Sequence, residues 1–261
     1  MSILVFDIET VPDLLGARRL NDLDGLDDDQ SLAAIQALRR DKVGHDFLPH
    51  YLQQIVAISL VLNQNEQLRV WSLGDESSSE KELITRFYHG IDIYTPTLVS
   101  WNGSGFDLPV LHYRALLHGI SAPRYWEHGS KDKDFRYNNY LSRYHYRHLD
   151  LMDILASYQA KAYAPLDDIA CLLGFPGKMG MHGSKVWDYY SKNDLKSIRN
   201  YCETDVLNTY CVFLRFELMR GDRDLAGYRQ ALETLKAYLL QDPSKQHFQD
   251  FLSQMKDPLI A

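Results

Sequence analysis

The chain has 261 residues, 45% of them hydrophobic and 24% charged, enough to bury the core of one large domain or two small ones. Its formal net charge of −7 excludes an architectural coat for duplex nucleic acid, which needs a basic surface, but leaves room for a small site that reads one strand end. The three cysteines, Cys171, Cys202 and Cys211, are odd in number and lack metal-ligand spacing, no apolar run approaches the roughly 20 residues that span a bilayer, and Met1 leads into a strand rather than a signal peptide, so a cytoplasmic protein is expected.

The first predicted element is the strand ILVFDI, Ile3 to Ile8. Asp7 and Glu9 at its end are two residues apart, so strand alternation points both carboxylates to one face. A long excursion over residues 12–50 follows, holding DLDGLDDDQ and then SLAAIQALRR. Its aspartates read as the acidic start of a helix that ends at Arg39 and Arg40, the arrangement the helix dipole prefers; EF-hand spacing is absent. IVAISLVL (55–62) and QLRVWSL (67–73), joined by NQNE, predict a hairpin. A helix is expected from about Ser79 to Ile91, a strand over Thr97 to Trp101, and another near His148 to Leu151. Strands first and then β-α-β-α predict a mixed sheet flanked by helices. Beyond Gly221, LAGYRQALETLKAYLL and KQHFQDFLSQMK predict two helices, read as a helical C-terminal extension (220–261) of the domain formed by 1–219.

Two further segments carry acids beside the expected core. In SWNGSGFDLPVL, two glycines let the chain turn tightly after the strand, Asp107 stands where a helix begins, and Pro109 fits its first turn. Asp107 can be a helix cap or a ligand-binding group, and Asn102 can bind a ligand or stabilise the turn. In IRNYCETDVLNTY, Leu195, Ile198, Cys202, Val206 and Phe213 form an apolar helical stripe. Tyr201 and Asp205, four apart, share a face at its border and should be half-buried, whereas Glu203 should be solvated. Asp7, Glu9, Asp107 and Asp205 have no cationic partner in sequence. Brought together they would repel one another, and a divalent ion would relieve that conflict; ligands that are all oxygen select Mg²⁺ or Mn²⁺.

The segments FDIET, NGSGFD and YCETD, in that order, resemble the D-x-E, N-x₂₋₃-[FY]-D and Y-x₃-D motifs of the DEDD superfamily of 3′→5′ exonucleases. Asn200 stands where the histidine subclass would carry His, so the resemblance is to the tyrosine subclass (DEDDy). More narrowly, the chain is similar to stand-alone proteins related to the proofreading domain of family-B DNA polymerases, over residues 1 to about 219. The resemblance implies an RNase H-like α/β fold: a five-stranded mixed sheet, its first three strands antiparallel. It also implies two Mg²⁺ or Mn²⁺ ions roughly 4 Å apart. Asp7 would bridge them, Glu9 and Asp205 would complete one site, Asp107 would support the other, and Tyr201 would aim the attacking water. Thr10, Asn102, Phe106, Lys178 and Lys185 form a second set, expected at the substrate. The expected partner is the 3′ end of single-stranded nucleic acid, DNA before RNA, and the products are nucleoside 5′-monophosphates. The alternatives are a 3′→5′ exoribonuclease, a non-catalytic nucleic-acid-binding module, and a phosphodiesterase for small nucleotides. No polymerase region accompanies these motifs, so proofreading would need a partner protein.

Residues 122–148 interleave six Lys and Arg with seven aromatic residues. That is a recipe for holding a single strand, or equally a loop whose rings pack beneath it. His145 and His148 are expected to be structural. GFPGKMGMHGSKVWDYY is expected to be a mobile loop, from which Lys178, His182 and Lys185 could reach the strand. In HLDLMDIL, Asp150 should end a strand and Asp153 should cap the next helix.

Overall fold

The strand Ser2–Pro12 (β1) is apolar through Phe6 because it runs down the middle of a sheet and is covered on both faces. The computed structural model describes residues 2–65, 67–256 and 259, so the outermost residues of the two expected segments, at 1 and at 257, 258, 260 and 261, lie outside the described residues. The other strands are Gln53–Gln64 (β2), Gln67–Ser72 (β3), Thr97–Ser100 (β4) and His148–Asp150 (β5). The five-stranded order is β3-β2-β1-β4-β5, with β1, β2 and β3 antiparallel and β4 and β5 parallel to β1. This is the mixed sheet that the resemblance implies.

Strand alternation divides the core in two. Val5, with Val61, Val70, Val99 and Leu149, faces the long helix Leu195–Arg220 (α8). Leu4, Phe6 and Ile8 face the other way, against the helices Glu80–Tyr94 (α3) and Asp107–His118 (α4). Tyr228, Leu232, Leu235 and Leu239 of Leu225–Leu239 (α9), and Phe248 and Phe251 of Gln246–Gln254 (α10), are buried in the same cluster as Val5. Each such side chain contributes about 1.5–3 kcal/mol by leaving water, so the C-terminal helices are built into the sheet's packing.

The excursion holds two helices rather than the one expected, Leu14–Asn21 and Asp28–Val43 (α1 and α2). Asp27 caps α2 through a reciprocal capping box with Gln30, in line with the capping reading of the acids. The first helix was hidden because its short apolar set, Leu14 and Ala17, packs only into a satellite core with Ile35, Leu48 and Leu52.

The basic aromatic stretch divides by residue. Tyr125, Phe135 and Tyr140 are buried in the second core, and the guanidinium groups of Arg124 and Arg147 lie over the Phe135 ring at 4.3 and 3.9 Å. These cations serve packing. Trp126, Tyr137, Tyr144 and Tyr146 remain exposed.

β1 pairs with β4 only from Ile3↔Thr97 to Val5↔Val99. Beyond Val5, β1 outruns its parallel neighbour and leaves an open edge at the carboxyl ends of the strands. Parallel sheets place their ligand crevices at such a point, where connections leave to opposite sides.

Candidate active site

Asp7 and Glu9 continue the side-chain row of Ile3 and Val5, so both belong to the α8 face of the sheet. A bulge follows: Glu9 pairs with Ala57 but Thr10 with Ile55. Thr10 falls outside the carboxylate group, and its hydroxyl donates to Gln53 Oε1 at 3.0 Å. Asp107 opens α4 without capping it. Its Oδ1 instead accepts a hydrogen bond of 3.2 Å from the Ile8 N–H, on the β1 edge that β4 leaves open. Asp205 comes from the middle of α8, where its carboxylate is hydrogen-bonded by the Tyr201 hydroxyl one turn earlier. The fold thus brings Asp7, Glu9, Asp107, Tyr201 and Asp205 together from three distant segments.

Burial pushes the Asp7 and Glu9 carboxyls well above the usual carboxylate range, and the neighbouring carboxylates push them further. Burial also raises Asp107 to about 7, although the Ile8 N–H opposes it, and Asp205 to about 6, although the Tyr201 hydroxyl opposes it. The Tyr201 hydroxyl is itself driven up by burial and by the Asp205 charge, so it stays protonated. Among the described residues no Lys or Arg forms an ion pair with any of the four acids; Lys178 acts on Asp7, Glu9 and Asp205 only from a distance. Carboxylate oxygens that converge without a protein cation fit hard divalent ions, and one sulfur, Cys202 Sγ, lies beside Asp7 and Glu9.

Asp7, Asp107 and Asp205 open onto a cleft of about 480 Å³, whose walls include Asn102, Phe106, Tyr163, Asp167, Lys178 and Asn208. Glu9, 7% exposed, lies behind them. Tyr201 and Lys178 also border a neighbouring cavity of about 600 Å³ against α10. Asn102 adopts φ 62°, and its N–H donates to Asp150 Oδ1 at 2.9 Å while the Ser104 N–H donates to Asp150 Oδ2 at 2.8 Å. A Cβ at Gly105 would stand 2.3 Å from Asn102 Oδ1, so a larger residue there would displace the Asn102 side chain. Phe106 packs against Phe47 and His50. Lys178 is held by its backbone, whose N–H donates to Asp167 Oδ1 at 2.6 Å, and Asn208 grips the preceding Gly177 through both its N–H and its carbonyl. Lys185 is exposed, 3.4 Å from Asp188, and does not line the cleft.

Two further expectations change. Glu203 is buried, 5% exposed, not solvated. It accepts from the Ser72 N–H and from Lys245 Nζ and His247 Nε2 of the C-terminal segment, and although burial acts to raise its pKa, these partners hold it below the usual range. α8 is wrapped by the sheet on one side and α10 on another, so it has no fully solvated face at this level. The cap of the helix Leu151–Leu155 is Asp150, while Asp153 pairs with Arg143. The sequence held no sign that Tyr163 and Asp167 line the cleft, that Asp150 anchors the turn beside it, or that Cys202 Sγ sits 3.5 Å from Asp7 Oδ2. Asn208, one turn beyond Asp205, had the only readable signal.

A family model described as "Predicted 3'-5' exonuclease related to the exonuclease domain of PolB" matches residues 45–255. That span holds Asp107, Tyr201 and Asp205 and begins after Asp7 and Glu9. The family B DNA polymerase from the hyperthermophilic archaeon Pyrobaculum calidifontis is similar in structure, with a TM-score of 0.50 and 16% identity over 91% of this chain. The similar region spans 29% of that polymerase, and at such identity the likeness is one of fold, the RNase H-like α/β arrangement. No curated protein matches the sequence. Among the described residues no helix is long and apolar enough to cross a membrane. With the family model covering most of its length, the chain belongs to the family of predicted 3′-5′ exonucleases related to the exonuclease domain of PolB.

Proposed function

We propose that the protein is a Mg²⁺- or Mn²⁺-dependent 3′→5′ exonuclease of the tyrosine subclass that removes nucleoside 5′-monophosphates from the 3′ end of single-stranded DNA. The observation that carries this reading is a cluster of four carboxylates, three buried and Asp7 half-buried, that among the described residues pair with no protein cation; Asp7, Asp107 and Asp205 line one cleft, and Tyr201 stands beside Asp205. Asp7, Glu9, Asp107 and Asp205 would hold two ions. Bound there, such ions supply an activated water and neutralise charge on the leaving 3′-oxygen.

The chain's own groups do the rest. Tyr201, held neutral, donates its one hydroxyl proton to Asp205 and can orient a water by accepting from it; its raised pKa rules it out as a base near neutral pH. Lys178, on a loop clamped by Asp167 and Asn208, supplies positive charge for the phosphates. Asn102 and Phe106 form the wall where the terminal sugar and base would rest. A second cavity of about 590 Å³ adjoins the cleft through Asn102 and Tyr163 and is lined by His112, Trp126 and Arg143. Its half-exposed indole offers a stacking surface for the next base, which supports a single strand over a small nucleotide. DNA is favoured because a similar solved structure is that of a DNA polymerase.

The test is a 5′-labelled single strand incubated with the protein and Mg²⁺ or Mn²⁺, with and without chelator, as DNA and as RNA side by side. Metal-dependent laddering from the 3′ end, faster on DNA, is expected. Absence of laddering under every metal overturns the reading in favour of a binding module, and faster loss of RNA reassigns the substrate.

A further inference from the structure

Behind the carboxylate cleft lies one donor that Mg²⁺ chemistry does not use. Cys202 is fully buried on α8, and its Sγ lies 3.4 Å from the Asp7 carbonyl oxygen and 3.5 Å from Asp7 Oδ2. Donor atoms of Asp7, Glu9 and Cys202 all lie within 4.8 Å of one another. Glu9 is more than nine-tenths buried, with 7% of its surface exposed, and among the described residues its carboxylate has no hydrogen-bond or ion-pair partner. A buried carboxylate with only a thiol and a second carboxylate within coordination range is an unsatisfied group that a metal ion would satisfy.

We propose that Asp7, Glu9 and Cys202 give the cleft a second coordination mode, which captures thiophilic divalent ions such as Zn²⁺ and Cd²⁺ and holds them in a non-productive position. The inhibitory half of this proposal rests on the nuclease reading; the coordination half does not. The geometry needs little adjustment. With Zn–S about 2.3 Å and Zn–O about 2.0 Å, tetrahedral donors stand roughly 3.5 Å apart. Asp7 Oδ2 and Cys202 Sγ already have that separation. Hard ions leave the sulfur alone, so with Mg²⁺ the thiol remains a hydrogen-bond donor to Asp7. A thiophilic ion takes the sulfur as thiolate, and the thiol proton goes to solvent. Asp7, which would hold the catalytic ions, is then committed to the sulfur. The competing reading is that Cys202 only packs against Val11, Ala57 and Ile198, and that reading gives no metal–sulfur signal.

The experiment uses the full chain with the exposed Cys171 changed to Ser, so that no surface thiol contributes. Metal-free protein is titrated with Cd²⁺, and the ultraviolet sulfur-to-cadmium charge-transfer band is followed. One equivalent should develop the band, excess Mg²⁺ should not erase it, and Cys202→Ser and Cys202→Ala should each abolish it while Cys211→Ser keeps it. Asp7→Asn, which leaves the thiol in place, should weaken the band and thereby guards against a Cys202 variant that folds poorly. No band, or one that survives both Cys202 changes, overturns the proposal. In a second arm, Zn²⁺ is added to Mn²⁺-supported laddering, each variant normalised to its own rate. The inhibition midpoint should rise roughly 10- to 100-fold in the Cys202 variants; an unchanged midpoint overturns the inhibitory half. If no metal supports laddering, the nuclease reading fails, and the cadmium band still decides the coordination.

Discussion

At the end of β1, Asp13 shares the guanidinium of Arg114 with Glu80, while Asp7, earlier on the same strand, faces Glu9, Asp107 and Asp205 with no such cation. The Arg114 side chain is 4% exposed; its Nη2 and Nε bind both Glu80 oxygens at 2.6 and 2.8 Å, and His118 Nε2 joins at 2.7 Å. Glu203, two residues from Asp205, is likewise matched by Lys245 and His247. Where acids tie elements together, this sequence supplies the countercharge. At the cleft it does not, and burial leaves four carboxyls hard to ionise. The difference separates structural carboxylates from ones held ready for a ligand, and it makes opposite demands on mutants.

The largest expected effect is on catalysis. Asp7→Asn should slow laddering by about a thousandfold, since metal ions contribute several kcal/mol and each 1.4 kcal/mol is about tenfold. Its melting temperature in chelator should equal or exceed that of the wild type, because a repelling buried charge is gone. A variant that melts early and cleaves normally would invert the assignment. Arg114→Met should do the opposite. It leaves Asp13 and Glu80 buried without a cation and should cost about 3–5 kcal/mol in denaturant unfolding. Loss of less than about 1 kcal/mol there would show that the network is not the stabilising counterpart of the cleft. Glu203→Gln is milder, because Lys245 is 31% exposed and can return to water. It should cost about 1–3 kcal/mol, and hydrogen exchange should show α10 opening more readily.

Alternation and helical spacing carried much of this arrangement. Asp7 with Glu9, and Tyr201 with Asp205, are local pairs whose shared faces follow from periods of two and four residues, and the structure preserves both faces. The strands and the C-terminal helices were legible for the same reason. What stayed hidden depends on contacts between distant segments. Asp107 looks like a helix cap in sequence, and only the early end of β4 gives its carboxylate the Ile8 N–H instead. Glu203 looks solvated until α10 and β3 close around it. The six cations of residues 122–148 look like a strand-binding surface, yet Arg124 and Arg147 cover Phe135. Arg114 sits about a hundred positions from Asp13, and nothing local announces the pair.

The smallest expected effect reads the cleft through its protons. Asp107 and Asp205, raised by burial to about 7 and about 6, bind protons more tightly folded than unfolded. Stability from these groups is therefore greatest below the ordinary Asp range of roughly 4, and it falls as the pH rises until it levels above about 7. His112 and His148, lowered by burial to about 4, act in the opposite sense, because the unfolded chain takes up their protons as the pH drops through roughly 6.5. The clean quantity is the difference between wild type and Asp107→Asn, which keeps both histidines. In chelator, between pH 5 and pH 8, the wild type should lose melting temperature relative to the variant as the pH rises. Saturating Mn²⁺ should reverse the trend, since the ion binds ionised carboxylates and stabilises most where protons have left. A pH-independent difference in chelator would mean that burial does not hold the Asp107 carboxyl above its ordinary range, and the contrast with the Arg114 network would collapse at that residue.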